Sequence, residues 1–230
     1  MYSIIIPTYN EADNINLLIP KIDDVLNDKF LHEIIVVDDN SPDGTAKIVQ
    51  KLSKKHNCKV LVRKKEKGLS SAVIAGFAAA KGEFICVMDA DLSHPPDVLP
   101  KMFNALKKAE LVVGSRLVKG GGSQSWPFYR KIISWSAQLL ARPLTPVKDT
   151  MSGFFAFKKS ILKNVTLEAY GYKILLEILV LADYNNAVEV PFTFLNRTFG
   201  ESKISLSVEI EYLKQLLHLY KCKFLKNIKK

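Results

Sequence analysis

Short apolar runs alternate along this chain with stretches in which apolar residues recur every three or four positions. The runs Ser3–Ile6, Glu33–Val37, Lys59–Val62, Glu83–Met88 and Glu110–Val113 have the length and β-branched content of buried strands. Between the first four, Ala12–Leu26, Asp43–Lys55 and Ser70–Ala80 carry apolar residues at the helical period. The turn Asn40-Ser41-Pro42-Asp43-Gly44-Thr45 has the residues that stop a strand and cap a following helix. Strand–helix alternation of this kind predicts an α/β fold with a mostly parallel sheet covered on both faces. In such sheets ligands bind beyond the carboxyl ends of the strands.

The second half is less regular. Lys119-Gly120-Gly121-Gly122-Ser123 reads as a mobile loop near that edge. Tyr129–Arg142 reads as a helix with Ile132, Ile133, Trp135, Leu139 and Leu140 among polar residues, Arg130 and Lys131 at one end and Arg142 at the other. A helix over Lys173–Ala182 and a strand over Val188–Leu195 follow. From Val208 to Ile228 apolar residues return at helical spacing, interleaved with Lys214, Lys221, Lys223 and Lys226. No repeat or linker divides the chain, so one domain over residues 1–205 and a basic amphipathic helix over 206–230 are expected.

Composition narrows the partners. The 230 residues are 48% hydrophobic and 24% charged, ordinary for a globular protein, with a net charge of +10 that favours an anionic partner. Nucleic acid is not expected, because no basic cluster interleaved with aromatic residues appears. Cys58, Cys86 and Cys222 are scattered and odd in number, which fits a reducing compartment. The N-terminus reads directly into a strand, unlike a signal peptide, and no apolar stretch reaches the roughly 20 residues of a spanning helix.

The candidate chemistry lies at the strand ends. Met88-Asp89-Ala90-Asp91 closes the fourth strand with two carboxylates one residue apart, on the same side of an extended chain. Such a pair repels unless a cation lies between its members, and hard ions such as Mg²⁺ or Mn²⁺ share carboxylates with phosphate oxygens. Asp89 and Asp91 are therefore read as ligands of one divalent ion, or as one ligand and one residue holding a sugar. Asp38 ends the second strand, where a carboxylate can bind a ribose or base. Tyr9 could stack on a base or simply pack at the surface, and Glu11 could accept from ribose hydroxyls. Arg116, after the fifth strand, could clamp a phosphate or form a surface ion pair. Each strand-end aspartate taken alone also fits a cap or turn; the argument rests on their sharing one edge.

Six segments, taken in order, resemble the dolichol-phosphate mannosyltransferases, a group within the inverting GT-A glycosyltransferases. They are Ile6-Pro7-Thr8-Tyr9-Asn10-Glu11, Val37 through Thr45, Met88-Asp89-Ala90-Asp91-Leu92-Ser93-His94-Pro95, Gly114-Ser115-Arg116, Ser152-Gly153-Phe154, and Asn196-Arg197-Thr198-Phe199-Gly200-Glu201-Ser202-Lys203. The resemblance covers about residues 1–205. It implies a GT-A (Rossmann-like) mostly parallel sheet flanked by helices, with interfacial and C-terminal helices. It also implies a GDP-mannose donor, a dolichyl (polyprenyl) phosphate acceptor and Mg²⁺ or Mn²⁺ as cofactor. Carried over by position, Pro7, Tyr9, Glu11, Val36, Asp38 and Ala90 look like the nucleotide-sugar pocket. Asp89 and Asp91 look like metal and donor ligands, joined by Ser93 directly or through a water. Arg116, Arg197 and Lys203 look like phosphate and donor contacts, and Arg130 like a second arginine facing the acceptor phosphate. Phe155 stands where many relatives carry an arginine.

The resemblance further implies a protein peripheral to the cytoplasmic face of a membrane, with the Ile132–Leu140 helix and the lysine-rich tail either dipping into the lipid or packing on the sheet. A separate membrane-anchoring subunit fits the same picture. Two other readings remain open: transfer of glucose from UDP-glucose, or of another sugar, to a polyprenyl phosphate, and a non-catalytic nucleotide-sugar-binding protein.

Overall fold

The structure, a computed structural model, describes residues 1–26, 29–124, 128–169, 171–196 and 206–228; at 128–131, 206–209 and 226–228 it describes the backbone alone. The strands are β1 (Tyr2–Thr8), β2 (His32–Asp38), β3 (Cys58–Val62), β4 (Phe84–Val87), β5 (Leu111–Ser115), β6 (Gly122–Ser123), β7 (Phe155–Lys158), β8 (Ala187–Pro191) and β9 (Thr193–Phe194). The helices are α1 (Ala12–Leu26), α2 (Thr45–Leu52), α3 (Leu69–Ala79), α4 (Leu99–Leu106), α5 (Phe128–Ala141), α6 (Ile174–Leu181) and α7 (Leu206–Ile228).

Seven strands form one sheet in the order β3-β2-β1-β4-β7-β5-β8, in which β7 alone runs against the rest. Alternation along each strand assigns the two faces. Ile4, Ile6, Ile34 and Val36 face a core built with α1, α2 and α4, whereas Ile5, Ile35 and Val37 face one built with α3 and α6. The stripe Ile15, Leu18, Ile19, Ile22 and Leu26 explains why α1 forms where the periodicity places it. Because β1, β2, β4 and β5 are parallel, their carboxyl ends share one edge. The antiparallel β7 brings its own entry, Ser152–Phe154, to that same edge.

Four features differ from the pattern-based expectation. Helix α4 is absent from it; Pro96 and Pro100 stand at the starts of the short 3-10 turn and of α4, where prolines are tolerated because N–H groups lack partners anyway. Strand β7 has only four residues, and its place between β4 and β5 is set by tertiary pairing. The glycine-rich segment expected as a mobile loop is partly paired: Gly122–Ser123 runs beside Thr193–Phe194, with the Gly122 and Gln124 N–H groups donating to Phe192 O (3.1 Å) and Phe194 O (2.8 Å). The expected strand to Leu195 divides at Phe192 into β8 and β9, so one segment serves two sheets.

Helix α7 packs one face on the domain. Tyr212, Leu216 and Leu219 are buried with Ala141, Leu144, Leu176 and Val180, and the Tyr212 and Tyr220 hydroxyls donate to Ala137 O and Leu140 O at 2.6 and 2.7 Å. Its other face leaves Leu213, Leu217, Phe224 and Leu225 exposed, as α5 leaves Ile132, Trp135 and Leu139. Among the described residues no helix is long and apolar enough to cross a membrane.

Candidate functional site

Three loops at the carboxyl edge each contain a residue in the left-handed region: Asn10 after β1 (φ 61°), Asn40 after β2 (φ 56°) and Leu92 after β4 (φ 62°). Asparagine tolerates that conformation; a leucine there is strained and is retained only where the surroundings impose it. The constraint on Leu92 comes from its neighbours. Asp91 Oδ1 accepts from the Ser93 N–H (3.1 Å) and hydroxyl (2.5 Å), and His94 Nδ1 accepts from the Asp89 N–H (3.0 Å). The loop thus folds back on itself around both carboxylates.

The two aspartates are not equivalent. Asp91 is 4% exposed and is built into the loop, whereas the Asp89 side chain is 35% exposed. The Ser93 hydroxyl is buried and serves the Asp91 carboxylate, so it supports that residue. His94 is buried, stacked on Phe154 (5.0 Å between centroids) and edged by Phe192 and Phe194. Burial pushes its pKa below the ordinary histidine value, against the pull of Asp89 and Asp91. With Nδ1 accepting, the proton of the neutral ring is assigned to Nε2, 3.7 Å from Asp89 Oδ2. Gly153 closes this corner: a Cβ there would stand 3.3 Å from Asp89 Oδ1 and 3.2 Å from His94 Cε1, tighter than ordinary contact.

Arg116 is held by Asp149, which sequence reasoning missed. The fully buried Asp149 carboxylate accepts from the Arg116 N–H (2.9 Å), from Nε (2.8 Å) and from a terminal guanidinium nitrogen (2.7 Å). Glu189 on β8 in turn accepts from the Lys148 and Asp149 N–H groups at 2.9 and 3.1 Å. A carboxylate three residues before Ser152-Gly153-Phe154 was the available signal; its partner lies 33 residues away, which no local pattern reports. Arg116 also lies over the Phe194 ring (5.8 Å).

Beyond the ends of β1 and β2, Tyr9 is exposed, with Lys67 Nζ 5.4 Å from its ring centre. The Glu11 carboxylate accepts from Asn14 Nδ2 (2.6 Å), and its N–H donates to the Thr45 hydroxyl (3.0 Å). Asp38 is buried and accepts from the Thr8 hydroxyl (3.2 Å), the Ser41 N–H (3.0 Å) and the Ser41 hydroxyl. It therefore tethers the β2–α2 turn as well as facing the edge. Its neighbour Asp39 is committed to the buried Arg63 and to the Gly68 N–H (2.9 Å). Pro7 is half-buried at the end of β1; the Val36 and Ala90 side chains lie in the core, and Val36 is paired on both sides, with Ile6 of β1 and Val60 of β3, so the structure does not open it to the edge. Phe155 points into the α3/α6 core. Arg197 and Lys203 lie outside the described residues; for Arg130 the structure gives only its place in the backbone of α5, and its side chain lies outside them too.

Arg116 and Lys173 push the His94 pKa in the same downward direction as its burial. Among the described residues no group of three or more His, Cys, Asp or Glu side chains is arranged to hold a metal alone. Two hard carboxylates, one of them accessible, nevertheless suit an ion that completes its shell with waters and phosphate oxygens, the usual habit of Mg²⁺.

A family model for glycosyl transferase family 2 matches residues 3–166. A dolichol-phosphate mannosyltransferase of Pyrococcus furiosus is 50% identical over 95% of this chain, which spans 63% of that relative's length. One of Saccharomyces cerevisiae is 44% identical, with 97% of this chain and 88% of the relative covered. Among solved structures, glucosyl-3-phosphoglycerate synthase from Mycobacterium tuberculosis, in complex with Mn²⁺, UDP and glucosyl-3-phosphoglycerate, superposes with a TM-score of 0.69 at 22% identity, covering 97% of this chain and 79% of that one. That likeness establishes the GT-A architecture. With a family model over most of its length and relatives this similar, the chain is a glycosyltransferase and belongs to glycosyl transferase family 2, beside the dolichol-phosphate mannosyltransferases.

Proposed function

We propose that the protein transfers mannose from GDP-mannose to dolichyl (polyprenyl) phosphate with inversion, giving dolichyl β-D-mannosyl phosphate and GDP. The observation that carries this reading is that a carboxylate pair, Asp89/Asp91, follows β4 and an anchored guanidinium, Arg116, follows the parallel β5, at one sheet edge. It is supported by the identity to the yeast and archaeal mannosyltransferases. A phosphate oxygen of the acceptor attacks the anomeric carbon while the bond from that carbon to the GDP β-phosphate oxygen breaks, so an α-linked donor gives a β-linked product. The nucleophile is already anionic at neutral pH, and no side chain has to remove a proton from it. The task is to bring two anions together, which requires fixed positive charge. Arg116, preset by Asp149, and Arg130 face the incoming phosphate, and Arg197 and Lys203, with Arg116, are assigned from sequence to the donor and its phosphates. Tyr9, Glu11, Asp38, Pro7 and the backbone at Ala90 hold the nucleotide, with Val36 beneath them in β2 shaping the floor of that pocket. A divalent ion held by Asp89 and Asp91, with Ser93 acting through Asp91, would neutralise the leaving diphosphate.

A donor panel of GDP-mannose, UDP-glucose and UDP-GlcNAc, each with dolichyl and undecaprenyl phosphate, tests the reading. Turnover with GDP-mannose is expected to exceed the others by about 100-fold or more, since a site built to hydrogen-bond one base rejects another strongly. Comparable rates with UDP-glucose would replace the donor assignment.

The acceptor's lipid chain places the reaction at a bilayer, and we assign the exposed faces of α5 and α7 to peripheral contact with it, on the cytoplasmic side, with or without an anchoring subunit. Trp135, Leu217 and Phe224 are 65, 72 and 67% exposed, on helices bearing lysines that suit anionic headgroups. Replacing all three by serine is expected to lower flotation with phosphatidylserine-containing vesicles by about tenfold or more, with unfolding temperature unchanged. Equal flotation of both proteins would remove this assignment.

A further inference from the structure

Lys173 immediately precedes α6, half-buried, and none of the roles above uses it. Its ammonium donates to the Met151 carbonyl (3.1 Å) and lies 4.8 Å from the Tyr172 ring centre. Its own carbonyl accepts from the Leu176 N–H (3.1 Å) and from Nε2 of the fully buried Gln215 on α7 (3.0 Å). The lysine is thereby fixed from α6, from α7 and from the loop it reaches.

Met151 is the middle of the turn Asp149–Gly153, whose two ends hold different parts of the site. Asp149 carries Arg116, and Gly153 stands against Asp89 and His94. The turn is weakly bonded within itself. The Ser152 N–H reaches Asp149 O at 3.4 Å, and the buried Thr150 hydroxyl has no hydrogen-bond partner among the described residues. A charged donor on a carbonyl is about twice as strong as a neutral one, so the lysine is an effective clamp on this turn.

We propose that Lys173 is a positioning residue for the transfer reaction: its ammonium on the Met151 carbonyl holds the Asp149–Gly153 turn in place and so fixes Asp89 relative to Arg116. The carboxylate serving the donor and the guanidinium serving the acceptor then share one clamp, whose base rests on α7 through Gln215. The kinetic half of this inference rests on the mannosyl-transfer reading; the structural half does not.

The test compares the full chain with its Lys173→Met and Lys173→Arg variants by amide hydrogen exchange and by steady-state kinetics with GDP-mannose and dolichyl phosphate. In Lys173→Met, exchange within residues 150–153 should accelerate about tenfold or more, and kcat should fall about 10- to 100-fold with both KM values within about twofold, the pattern of misplaced but still bound reactants. Lys173→Arg, which keeps a donor, should recover both readouts to within about threefold. Unchanged exchange would overturn the proposal. So would a raised KM for dolichyl phosphate at constant kcat, which would make Lys173 a substrate contact. If Lys173→Met does not fold, Lys173→Gln is measured against the same criteria. If the wild-type chain transfers no mannose, the transfer reading fails while the exchange data still decide the clamp.

Discussion

Asp89→Ala is expected to lower mannosyl transfer by a factor of about 10³ or more while moving the unfolding temperature by no more than about 2 °C. The reason for the small stability effect is exposure: the side chain is 35% accessible, and the hydrogen bond that organises the loop uses its backbone N–H, which alanine keeps. Asp91→Ala should abolish transfer equally but also destabilise the fold by about 1–3 kcal/mol. Its carboxylate accepts from both buried donors of Ser93, and removing it strands them. Thermal unfolding and a divalent-ion titration of the transfer rate, run on both variants, separate the two effects. Transfer that survives in Asp89→Ala, or in wild-type enzyme treated with EDTA, would overturn the metal role.

That contrast also shows what a sequence can and cannot reveal. The strand-end position of Asp89 and Asp91 was legible because a four-residue apolar run and a period of two are local signals. Which of the two is buried was not, because it depends on Ser93 and His94 folding back around a strained Leu92. The strand–helix alternation placed β1 to β5 and α1 to α3 for the same local reason. Strand β7 and the division of Val188–Leu195 at Phe192 escaped it, since both are decided by pairing between distant segments. The lysine-rich tail offered two readings, membrane contact or packing on the sheet. The helix has one face for packing, through Tyr212, Leu216 and Leu219, and a second that is left exposed. An amphipathic pattern fixes that such faces exist, but only tertiary structure says which is covered.

The Arg116–Asp149 pair should give the largest stability effect in the protein. Asp149→Ala leaves an almost fully buried guanidinium without its carboxylate, and Arg116→Met leaves a fully buried carboxylate without its guanidinium. Each is expected to cost about 3–5 kcal/mol in urea unfolding, the usual consequence of breaking one side of a buried pair. The double variant Asp149→Ala/Arg116→Met removes both charges together, so it should be more stable than either single variant, with a coupling energy of about 1–3 kcal/mol. Activity should behave differently. All three variants should lose transfer, and the double variant should stay inactive even as its stability returns, because in the proposed reaction Arg116 is the cation that faces the acceptor phosphate. Arg116→Lys keeps the charge but not the planar fork that engages both Asp149 oxygens, so its transfer rate should fall between wild type and Arg116→Met. A double variant as unstable as the worse single one would show that the pair is not the unit of stability. Recovered transfer in the double variant would show that Arg116 serves the fold and not the reaction.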